Sequence, residues 1–128
     1  MTRPERQGPA DAEPAADFDA DFDALVERHP HATVVRVRGE IDSLTVDRLN
    51  AAVRAAPAAS PLVLDLTRVR FLGSVGIAAL IVARNRAQDA GTETRLVVGG
   101  NRTVLRPLEA SGLRTEFSLF PDVELALG

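Results

Sequence analysis

The 128-residue chain has no Cys, no Trp, no Tyr and no Lys, and a single Met. Without Cys there can be no disulfide, no thiolate metal ligand and no thiol nucleophile, a composition that suits a reducing compartment. Without Lys there is no Schiff-base chemistry, and no lysine to grip phosphate in a G-x-x-x-x-G-K-[ST] loop. Five Phe are the only aromatic residues, and the Arg residues are scattered along the chain. Nucleic-acid binding uses a clustered basic surface with stacking aromatics, so no direct nucleic-acid partner is expected. Long apolar runs are missing too. VGIAALIVA (75–83) is the longest, whereas a membrane span needs about 20 apolar residues. The N-terminus is acidic where a secretory signal would be basic and then apolar. These absences lead to an expected cytoplasmic protein with no membrane partner.

What is present is unevenly charged. Residues 1–23 carry seven acids against Arg3 and Arg6, while the rest of the chain carries 13 Arg and 11 acids, for a net charge of −3. The acidity therefore belongs to the N-terminus. Residues 1–17 are Pro, Ala and acid with no bulky hydrophobe after Met1. They cannot bury enough apolar surface to offset their ordering entropy, and disorder is expected there. Residues 18–128 are expected to form one domain.

Periodicity sets out the elements. A first strand is expected near 22–28, followed by a turn at His29-Pro30-His31-Ala32. TVVRVRGEI (33–41) alternates with period two, Val35 and Val37 on one side and Arg36 and Arg38 on the other, which completes a hairpin. Asp42-Ser43 offer an N-cap to a helix over about 44–56. PLVLDL (61–66), bounded by Thr67-Arg68, suits a central strand covered on both faces. A strong helical pattern over 75–90 ends at Gly91, and TRLVV (94–98) reads as another buried strand. Asn101 caps a helix towards Ser111, which Pro107 should kink or shorten. Residues 117–120 suggest a short strand, and a last helical turn follows Pro121. The order β-β-α-β-α-β-α-β-α predicts an α/β fold with a mixed, mostly parallel sheet and helices packed on it.

At about 100° per residue the helix over 75–90 separates two faces. Gly76, Ala79, Leu80, Ala83, Ala87 and Ala90 form a stripe expected to face the sheet. Opposite lie Ile77, Ala78, Ile81 and Val82, then Arg84, Asn85, Gln88 and Asp89. The first two turns are thus apolar nearly all round. Either another helix covers them or they form an exposed patch for a partner.

Ser74 stands at the start of that helix and has two readings. Its hydroxyl could cap the helix, which is worth about 1 kcal/mol. It could instead accept a phosphate, adding about −1.5 to −2 charges beside the apolar patch. Catalysis by Ser74 would need a base, and His29 and His31 lie far along the chain in a turn, with no third orienting group evident. Two His make no metal cluster. Asp42 and Asp65 suit a helix cap and a strand end better than an acid–base pair. GSVG (73–76) and VGGN (98–101) are too short to indicate a nucleotide. No catalytic residue, metal or cofactor is expected.

The run LVLDLTRVRFLGSVGIAAL (62–80) resembles the strand-loop-helix signature of the STAS domain family, in particular its bacterial anti-sigma-factor antagonists. GEID (39–42) and LEASGL (108–113) support the resemblance, which covers about residues 22–127. It implies a STAS-like fold without enzymatic activity. It also implies that Ser74 is phosphorylated by an anti-sigma factor that is itself a serine kinase. On that reading the unphosphorylated form binds the kinase and releases a sigma factor, so regulating transcription in a stress response, and a PP2C-type phosphatase resets the cycle. The partner-facing residues it implies are Glu40, Asp42, Gly73, Gly76, Ile77, Ala78, Ile81 and Val82. Two positions depart from the signature. Gly73 stands where an aspartate is usual, and Val75 replaces a second small hydroxyl residue. Ser74 is consequently the only hydroxyl between Arg68 and Thr92. Gly73 also keeps a second reading open, a STAS-like sensor or scaffold that is not phosphorylated and binds a small ligand or a transporter.

Overall fold

The structure, a computed structural model, describes residues 21–128, and the expected disorder of residues 1–17 lies outside the described residues. A five-stranded sheet in the order β1-β2-β3-β4-β5 forms its centre. β1 (Asp23–Arg28) and β2 (Thr33–Ile41) make the expected antiparallel hairpin. β3 (Leu62–Leu72), β4 (Thr94–Val97) and β5 (Ser118–Phe120) then add in parallel. The crossovers carry α1 (Val46–Ala55), α2 (Ser74–Asp89) and α3 (Arg102–Ala110), and α4 (Val123–Leu127) ends the chain. Element order and mixed sheet agree with the sequence pattern.

Alternation along the strands builds two cores. Val35, Val37, Leu62, Leu64 and Leu66 face α1–α3 and pack with Leu49, Leu80, Val104 and Leu108. Val34, Val63 and Val97 point to the other face, where Ala126 of α4 covers them. β3 is therefore apolar on both sides, as its composition predicts for a central strand. Period two also separates Arg36 from this core: it donates to Glu27 at 2.8 Å and to Asp65 at 3.1 Å. The hydrogen bond from Arg36 holds the Glu27 carboxyl below its ordinary pKa.

Several boundaries differ from the sequence reading. β3 runs on to Leu72 instead of stopping at 66. Register shifts between Arg36 and Arg38 and between Gly39 and Glu40 let the pair continue through polar Thr67-Arg68. The bent stretch is stitched by Asn101, whose amide donates to the carbonyls of Leu66 and Val69 at 2.9 Å each. The same side chain caps α3 as expected, accepting from the Thr103 N–H. α3 continues through Pro107 to Ala110 rather than ending early. α1 begins at Val46 instead of 44, because Asp42 turns the chain first: its carboxylate accepts from the N–H groups of Leu44 and Thr45 at 2.9 and 3.2 Å. Asp42 is thus an Asx-turn residue and does not cap the helix.

Candidate functional site

β3, the middle strand of the sheet, delivers the chain from its C-terminal end to the mouth of α2. Gly73 is the N-cap residue, with extended backbone, and Ser74 is the first helical residue. This corrects the capping reading of Ser74: no side chain caps α2. The Ser74 side chain is exposed and makes no hydrogen bond to any described residue. It stands in the first turn, where unpaired backbone N–H groups and the helix dipole favour negative charge.

The helix is seated firmly beneath that hydroxyl. Gly73 N–H donates to the Ile41 carbonyl at 3.1 Å, tying the mouth to the end of β2. Gly76 is buried, and a Cβ there would fall 2.6 Å from Leu72 Cδ1 and 2.7 Å from Ile41 Cγ2. Gly76, expected to face a partner, instead lets α2 lie close on the strand ends. Ala79, Leu80, Ala83 and Ala87 continue the buried stripe, but Ala90 departs from it as the exposed C-cap residue.

The opposite face divides into two flanks of different burial. Ile77 and Ile81 are half-buried, with Ile77 packed against the core, and Arg84 on the same flank reaches Glu116 at 3.0 Å. The other flank is open. Val75, Ala78 and Val82 are exposed at helical spacing, with Val82 63% accessible. They form one wall of a groove of about 350 Å³ between α1 and α2, and Asn50 and Arg54 stand on the α1 side. Arg86 closes the far end, donating to the carbonyls of Val53 and Ala56 at 3.2 and 3.1 Å. Exposed Glu40 near the end of β2, with half-buried Asp42 and exposed Leu44 in the loop after it, lines a separate and smaller pocket.

The Gly73–Ile41 hydrogen bond ties the mouth of α2 to the β2 end that carries Glu40 and Asp42, while Ala78 and Val82 line the groove further along the helix. The sequence reading missed Val75 and Leu44. Val75 is the second residue of α2, where periodicity has too few turns to assign a face, and Leu44 lies in the turn that Asp42 sets before α1. Asp65 and His29, two of the residues considered for catalysis, are engaged elsewhere. Asp65 accepts from Arg36 and, at 2.7 Å, from the Thr67 hydroxyl, and His29 lies 3.5 Å from Glu27 in the hairpin turn. Among the described residues no three His, Cys, Asp or Glu stand together as a metal site, and no helix is long and apolar enough to cross a membrane.

Comparison with known proteins agrees with the fold. The family model for the STAS domain matches residues 23–126. Anti-sigma-F factor antagonist RsfA of Mycobacterium tuberculosis is 32% identical over 108 residues, 81% of this chain and 84% of the relative. RsfB of the same organism, also an anti-sigma-F factor antagonist, is 34% identical over 105 residues, 80% of this chain and 84% of the relative. The crystal structure of an anti-sigma factor antagonist from Mycobacterium paratuberculosis superposes with a TM-score of 0.73 at 36% identity, covering 83% of this chain and 91% of that one.

Proposed function

The chain belongs to the STAS domain family, and from that premise we propose that it is an anti-sigma-factor antagonist whose docking is switched at Ser74. In its free form it binds an anti-sigma factor that is also a serine kinase, and a sigma factor is released. The kinase then transfers the γ-phosphoryl group of ATP to Ser74 Oγ. The bond from the γ-phosphorus to the β,γ-bridging oxygen breaks, ADP leaves, and a base of the kinase takes the hydroxyl proton. A PP2C-type phosphatase hydrolyses the ester and restores the binding form. One observation carries the reading: an exposed hydroxyl, unpaired among the described residues, at the end of an exposed apolar stripe. A lone hydroxyl can be modified without unfolding anything, and new charge beside Val75 and Val82 opposes desolvation of that stripe on docking.

The direct test incubates the chain with ATP and each purified serine-kinase anti-sigma factor of its host, then maps modified peptides by mass spectrometry. Phosphate on Ser74 is the expected result. No label there with any of them would overturn the switch and favour the unphosphorylated sensor suggested by Gly73. The stripe makes a separate prediction. Val82→Asp is expected to weaken binding about tenfold, a loss of about 1.4 kcal/mol, with the melting temperature unchanged. Ile81→Asp, on the half-buried flank, is expected to lower the melting temperature by about 5 °C, because a carboxylate enters partly desolvated space. Equal affinity of Val82→Asp and the parent in calorimetry would remove the groove from the docking surface.

A further inference from the structure

Phe71 lies one residue short of the end of β3 and is 48% exposed, an unusual position for the largest side chain near the mouth of α2. Its ring is not loose on the surface. A Cβ added to Gly73 would stand 3.0 Å from Cε2 and 3.4 Å from Cζ of that ring, so the ring lies against the backbone of residue 73. The Gly73 backbone, at φ −85° and ψ 178°, is extended and open to any residue. Backbone conformation therefore does not call for glycine there. The ring is what a side chain at 73 would meet, and it would have to give by a few tenths of an ångström.

Across the sheet Phe71 is the register partner of Glu40 on β2. Glu40 is exposed and has no ion pair among the described residues. The aromatic ring thus lies beside Gly73, the residue before Ser74, on a strand position paired with Glu40. Half-exposed aromatics held in one orientation are the side chains that dominate interface energies, because little ordering entropy is lost on binding.

We infer that Phe71 is the aromatic anchor of the docking surface, seated in an apolar pocket of the anti-sigma factor with a basic residue at its rim facing Glu40, and that Gly73 is present so that the ring can lie flat. This rests on the function proposed above. It gives Gly73 a role that an unoccupied aspartate position does not: the glycine exchanges a carboxylate beside Ser74 for a fixed aromatic face.

The test is a double-mutant cycle in the full chain, read by calorimetry against the serine-kinase anti-sigma factor that labels or binds the parent. Phe71→Ala is expected to lose at least about tenfold in affinity. Gly73→Ala is expected to weaken binding in the parent background and to have no further effect in the Phe71→Ala background. Phe71→Leu, which keeps apolar bulk, should retain more affinity than Phe71→Ala and guards against a folding defect, with circular dichroism melts for each variant. Glu40→Gln should weaken binding more at low salt than at high salt. Parent-like affinity of Phe71→Ala would overturn the anchor. An equal loss from Gly73→Ala in both backgrounds would overturn the coupling, and a Glu40→Gln affinity equal to the parent's at both low and high salt would overturn the basic rim. A parent chain that binds none of the host's anti-sigma factors would remove the antagonist reading itself, and this inference with it.

Discussion

Ser74→Asp is expected to weaken binding to the cognate anti-sigma factor about a hundredfold, a loss of about 2.7 kcal/mol, while the fold stays as stable as the parent or gains slightly. The two effects have opposite sign because they act on opposite sides of the same atom. On the protein side the carboxylate stands in the first turn of α2, where the dipole and unpaired N–H groups stabilise negative charge by about 0.3–1 kcal/mol. On the partner side it borders Val75 and the apolar groove and must be desolvated without a counter-charge when that surface closes. An uncompensated buried charge of this kind costs about 2–5 kcal/mol at an interface. Phosphate, with nearly two charges, should act more strongly still. Ser74→Ala is expected to bind as the parent does, to escape modification, and so to keep sigma release on. Calorimetric titration of the three proteins checks all of this. Equal affinity for parent and Ser74→Asp would mean that charge at the helix mouth does not control docking.

Gly39→Ala is expected to destabilise the fold by about 3 kcal/mol, seen as a fall of about 10 °C in melting temperature. Gly39 has φ +102°, a region that costs a residue with a side chain about 1–3 kcal/mol. Space is closed as well. A Cβ at 39 would lie 1.9 Å from the Asp21 carbonyl oxygen, and backbone cannot swing aside as a side-chain tip can. The chain entering β1 would have to lift, and Phe22, which is buried and lies 5.1 Å beneath the Arg48 guanidinium, would lift with it. The site is affected indirectly, since Gly39 sits at the register shift that aims Glu40 and the following loop towards α2. Thermal denaturation followed by circular dichroism measures the effect. A shift under about 2 °C would mean that the entering segment relaxes freely around the new methyl group.

Much of the fold could be read from side-chain period alone. Alternation of Val and Arg in β2, the unbroken apolar run at 62–66 and the 3.6-residue repeat of small residues in α2 each name a face to be buried. What escaped that reading was decided by contacts between distant segments. The extension of β3 past polar Thr67-Arg68 depends on register shifts against β2 and on the Asn101 amide, 35 residues away from Leu66. Neither leaves a local signal. The N-cap moved from Ser74 to Gly73 because that position is set by where the strand releases the chain, and Gly73 is held there by the Ile41 carbonyl.

The candidate site divides along the same line. A single hydroxyl ahead of an amphipathic run, in a chain without Cys or Lys, was visible from composition and spacing, since these are properties of the residues themselves. Which part of the apolar run meets solvent was not, because a helix wheel ranks directions but contains no neighbours. Packing on the other elements made Ile77 and Ile81 half-buried, drew Gly76 into the strand ends and left Val75, Ala78 and Val82 bare beside α1. Chemistry followed from residue identity, whereas accessibility is a relation between surfaces and exists only once the chain has closed on itself.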